Sequence, residues 1–111
     1  MKTNKKNTFE ALDRYFLNTE SRTMNVDYFA GQAAIYGVNG GESLYHEVRG
    51  NKPAEKVAIN VLCSWINFEL FSHGYRKYIC TWQQVKKALG SQLDEIMQYI
   101  TNSIIAEREE E

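Results

Sequence analysis

The 111-residue chain holds one proline, two cysteines and two histidines, and each scarcity removes a class of reading. A single proline, Pro53, cannot make a Pro-rich linker. Cys63 and Cys80 lie seventeen positions apart without a C-x-x-C, and Cys63 falls in the most apolar window, as a reduced core thiol would. Neither His46 nor His73 pairs closely in sequence with the other or with a cysteine, so no metal site is expected. The positive start MKTNKKNTFE is not followed by an apolar stretch, so no secretory signal is read there. The most apolar window, Val57 to Phe71, is 15 residues long and is broken by Asn60, Ser64, Asn67 and Glu69. A membrane span needs about 20 apolar residues. The expectation is a cytoplasmic protein with no membrane contact. Gly37-x-x-Gly40-Gly41 lacks a preceding strand and a following Lys-Ser/Thr, so it is no phosphate loop, and no nucleophile elbow is present. A non-enzymatic protein with no cofactor is expected.

The composition, 43% hydrophobic, 24% charged and 13% aromatic, is that of a folded domain, and the length allows one core. Apolar spacing of three and four predicts an all-α fold, a compact bundle of five to six short helices around a central apolar helix at about 54–72. The first helix should open at Thr8 and run through Phe9, Leu12 and Phe16 to about Arg22. Asn25 caps a second, which carries Val26, Phe29, Ala30, Ala33 and Tyr36 and stops at Gly37, taken as a left-handed turn. A short helix at about 42–49 turns Leu44 and Val48 inward. Pro53 suits the first position of the central helix. Tyr75 to Cys80 is too short to divide between strand and extended link. Thr81 and Gln84 form a capping box that opens a helix with Trp82, Val85 and Leu89 inward, and Gly90-Ser91 reads as a stop and a new cap. A final helix carries Leu93, Ile96, Met97, Ile100 and Ile104 and should fray at Glu109-Glu110-Glu111, where carboxylates meet the negative helix end. The organisation is a flexible basic arm at 1–8, one helical domain at 9–108 and an acidic tail at 109–111.

The net charge of -1 conceals structure: residues 1–8 carry +3, residues 9–69 carry -3, residues 70–93 carry +4 with no acid, and residues 94–111 carry -5. A neutral average therefore does not exclude a basic binding face.

Residues 29–53 read FAGQAAIYGVNGGESLYHEVRGNKP. With Ala33, Gly37, Val38, Leu44, Gly50 and Pro53 in order, this stretch resembles the helix-turn-helix of phage repressors and Cro-like regulators. The resemblance implies a helix-turn-helix at 26–49 in a DNA-binding regulator, with helix 42–49 entering the major groove of double-stranded DNA. Tyr45, His46 and Arg49 would face the DNA, with Lys52 nearby and the arm residues Lys2, Lys5 and Lys6 on phosphates or a minor groove. The carboxy-terminal stripe Leu93, Ile96, Ile100 and Ile104 could then pair two chains in a homodimer.

The residues also support a protein-binding inhibitor or adaptor of the phage or mobile-element type. The acid-free 70–93 segment interleaves bases with aromatics, and Tyr75, Arg76, Lys77, Tyr78, Trp82, Lys86 and Lys87 would grip a protein target. Glu69, the one carboxylate between Val57 and Phe71, is expected to reach the surface or pair with a cation.

Overall fold

The structure, a computed structural model, describes residues 12, 15–18, 23–39, 42–74 and 81–110. The arm at 1–8, the 75–80 segment and Glu111 lie outside the described residues. The class is all-α, with one two-stranded ribbon among the described residues.

The ribbon corrects the expected first helix where the two overlap. Strand β1 (Phe16–Asn18) pairs antiparallel with β2 (Thr23–Met24), Phe16 opposite Met24. A short run of apolar residues fits either period, and long-range packing decides between them. Tyr15, 1% exposed, meets Phe29 and Trp65 edge-on at 5.6 and 5.4 Å, and the Phe29 and Trp65 rings lie 4.8 Å apart. The Tyr15 carbonyl accepts from the Asn25 amide at 2.8 Å, which turns the chain into the next helix.

Helix α1 (Val26–Val38) begins where the Asn25 side chain accepts from the Tyr28 amide at 3.2 Å. It does not stop at Gly37. That glycine is helical and buried, and a Cβ on it would come within 2.7 Å of the Val61 Cγ1. Its role is close helix approach, and the helix closes one residue later with the Asn39 amide donating to the Ile35 carbonyl. Helix α2 (Glu42–Val48) buries Leu44 and Val48. Helix α3 (Ala54–Ser72) has Pro53 as its N-cap, one position before the expected place, and runs through the centre with Val57, Ala58, Val61, Leu62, Trp65, Ile66 and Leu70 buried.

Helix α4 (Trp82–Leu89) opens with the full capping box: Thr81 accepts from the Gln84 amide while the Gln84 side chain accepts from the Thr81 amide at 2.9 Å. Gly90, at φ 58°, ends it, and one 3₁₀ turn (Gly90–Gln92) leads into α5 (Leu93–Glu109). Gln92, not Ser91, stands at the N-cap of α5 and donates to the Met24 carbonyl at 3.2 Å.

Helix α5 packs most extensively on α1 and next on α3, with Ile96, Ile100 and Ile104 all buried within the chain's own core. Of the stripe expected to pair two chains, Ile96, Ile100 and Ile104 are 0 to 2% exposed within this chain's own core, while Leu93 is half-buried. Among the described residues no helix is long and apolar enough to cross a membrane.

Candidate functional site

The residues expected to meet DNA divide sharply. Lys2, Lys5 and Lys6 lie outside the described residues. Tyr45 and His46 are exposed on α2, and Lys52 is exposed in the bend that follows. Arg49, just beyond α2, is drawn back onto α5, where its guanidinium pairs with the Glu107 carboxylate and lies 4.1 Å over the Tyr45 ring. From the next position of α5, Arg108 donates to the Val48 carbonyl at 2.7 Å and the Glu47 carbonyl at 3.3 Å, satisfying the end of α2. Asn60 of α3 donates to the Glu47 carboxylate at 3.0 Å. The C-terminal end of α2 is thus clasped to two other helices, and its strongest cation already serves a carboxylate.

Of the protein-binding alternative, Tyr75, Arg76, Lys77 and Tyr78 lie outside the described residues. Trp82 is half-buried at the start of α4, with the Lys86 ammonium 5.7 Å from its ring, and Lys87 is exposed. Helix α4 carries no acidic residue. Trp82 forms one wall of a groove of about 480 Å³ between α3, α4 and α5, with Ile59 from α3 and Leu93, Met97, Thr101 and Ile105 from α5. The carboxylates Glu55 and Asp94 also line it, together with Gln98.

These α5 residues were missed as a site, yet the signal is in the spacing. Leu93, Met97, Thr101 and Ile105 recur every fourth position and form a second apolar row beside the core row of Ile96, Ile100 and Ile104. Sequence reading joined Leu93 and Met97 to the core row. The fold leaves both half-buried and Ile105 41% exposed.

Glu69 is 7% exposed near the end of α3, with the His73 Nε2 3.4 Å from its carboxylate one turn later. The carboxylate is thus buried short of the surface, with the His73 ring as its neighbour. Among the described residues no three His, Cys, Asp or Glu side chains converge as metal ligands do. Comparison of the chain with protein-family models, with curated proteins and with solved structures finds no match, and the functional reading rests on the surfaces just described.

Proposed function

We propose that the chain is a small non-enzymatic regulatory protein that binds a partner protein across the α3–α4–α5 groove. The observation that carries this reading is the juxtaposition of Trp82, Ile59, Leu93, Met97 and Ile105 with the acid-free, lysine-bearing helix α4. A half-buried tryptophan beside a cation is the kind of anchor that dominates binding energy. Lys86 and Lys87 on α4 favour an acidic stretch of the partner beside the groove, and the lining carboxylates Glu55 and Asp94 favour a basic group within it.

Co-purification from the native cell, with protein and nucleic acid both analysed, tests this. One protein partner should be recovered in fixed proportion, and Trp82→Ala and Lys86→Glu should each release it. A partner retained by both variants would refute the groove as its seat.

A second reading keeps the helix-turn-helix: α1 and α2 with Leu44 and Val48 inward leave Tyr45 and His46 exposed, as a DNA-facing helix requires. It has less support, because Arg49 is engaged by Glu107 and α2 itself contains Glu42 and Glu47. A duplex shifted at low salt, and released by Tyr45→Ala, would restore it; no shift with any duplex would dismiss it.

A further inference from the structure

On the opposite side of α5 from the Trp82 groove lies a second groove, formed against α1. At 100° per residue, Tyr99, Ser103, Ala106 and Glu110 face about half a turn away from Met97, Thr101 and Ile105. The second groove has a volume of about 350 Å³, and its α1 wall is Gly31, Ala34, Ile35, Val38 and Asn39. Its floor is shallow because small residues line both helices: a Cβ on Gly31 would lie 3.4 Å from the Tyr99 hydroxyl. Ile35 is 55% exposed and Tyr99 39%.

The groove has a direction. Gln92, at the start of α5, bonds Met24 just before α1, while Arg49 and Arg108 join the other end of α5 to the α2 segment that follows α1. The two helices therefore run parallel, and their C-terminal ends lie together. Each helix end contributes a partial negative charge from its last carbonyls. Glu107 and Glu110 line that same end. Helix α1 contains no basic residue, Arg108 of α5 is turned onto the α2 carbonyls, and Arg49 is held by Glu107. The result is an apolar trough bounded by small side chains, with two helix C-terminal ends and the exposed Glu110 carboxylate at one end, Glu107 being paired with Arg49.

We propose that this α1–α5 groove is a docking site for a basic amphipathic helix of a partner protein. The apolar face of that helix lies over Ile35, Ala34, Ala106 and Tyr99, and its Lys or Arg residues lie toward Glu110 and the paired helix ends. This site is distinct from the Trp82 groove, and the chain would join two partners through opposite sides of α5.

The test uses the full chain and two fluorescein-labelled synthetic amphipathic helices, one of leucine and lysine and one of leucine and glutamate, followed by anisotropy. The Leu/Lys helix should bind at least about tenfold tighter than the Leu/Glu helix, with affinity falling as salt rises. Ile35→Lys and Glu110→Lys should each weaken it by about tenfold or more, whereas Glu55→Lys, the same charge change beside the other groove, should leave it within about twofold. Circular dichroism of each variant separates lost binding from lost fold, and Ile35 and Glu110 are both exposed positions. Equal weakening by Glu110→Lys and Glu55→Lys would mean general charge attraction and would overturn the proposal, as would unchanged binding in Ile35→Lys. Self-association seen by light scattering and abolished by Ile35→Lys would also overturn it, by making a second copy the occupant. Failure of these variants leaves the Trp82 groove untouched, since that site answers to Trp82→Ala and Lys86→Glu.

Discussion

Replacing Gly37 by alanine sets two effects of opposite sign against each other. Helix propensity alone favours the alanine by about 1 kcal/mol, because glycine loses more backbone freedom on folding. The fold opposes it. The new Cβ would meet Val61 Cγ1 at 2.7 Å, Cγ2 at 2.9 Å and Cβ at 3.4 Å, where carbon atoms normally rest at about 3.5–4.0 Å. Val61 is fully buried, and a β-branched residue in a helix has essentially one rotamer, so its methyls cannot swing aside. Helices α1 and α3 must separate instead, and overpacking of this kind costs about 1–3 kcal/mol. With both methyls inside contact distance the upper end applies, and the net loss is about 2 kcal/mol, or about 8 °C in Tm for a chain of this size. Thermal and urea unfolding of Gly37→Ala, Val61→Ala and the double variant measure it. Val61→Ala alone should cost about 2–3 kcal/mol for the cavity it opens. In the double variant the clash is gone while the propensity gain stays, so its loss should fall short of the sum by about 3 kcal/mol. A stabilised Gly37→Ala, or losses that add to within about 0.5 kcal/mol, would refute the close approach of α1 and α3.

Other parts of the fold make independent predictions. Thr81→Ala removes the cap of α4 and should cost about 1 kcal/mol, with faster amide exchange confined to the first turn of that helix. Arg108→Ala leaves the last carbonyls of α2 without their guanidinium and should cost about 1–2 kcal/mol in urea unfolding, with exchange rising around Glu47 and Val48. Phe29→Ala empties the centre of the three-ring cluster with Tyr15 and Trp65 and should cost about 3–5 kcal/mol, visible as a shift in tryptophan emission. Phe68→Ala, by contrast, at a ring 47% exposed, should change stability by less than about 1 kcal/mol; a loss as large as that of Phe29 would mean that Phe68 is covered.

Much of the fold was legible because its signals are local. Asn25 and the Thr81–Gln84 pair announce helix starts through hydrogen bonds made within three residues, and both caps form. The nearly continuous apolar run from Val57 to Leu70 identified the central helix, since only a helix buried on most sides tolerates so few polar positions. The failures arise where a contact distant in sequence overrides local preference. Phe16–Asn18 is extended beside a Tyr15 packed against Phe29 and Trp65, and Gly37 sits inside a helix, where its missing Cβ leaves room for Val61.

The candidate sites were legible only in part, for the same reason. Charge segments mark Lys86, Lys87 and Trp82 as a basic-aromatic stretch because composition is additive along the chain, and the Lys86 ammonium lies 5.7 Å from the Trp82 ring. Residue order could not show that Arg49 would spend its charge on Glu107, 58 positions away, or that α5 would divide its apolar residues among three faces. Helix type, caps and the identity of the central helix follow from neighbours in sequence, where hydrogen bonds and periodicity act. Which charges remain available and which apolar rows stay uncovered followed from packing alone, because burial is a property of what lies opposite, and the chain's order does not encode that in any single stretch.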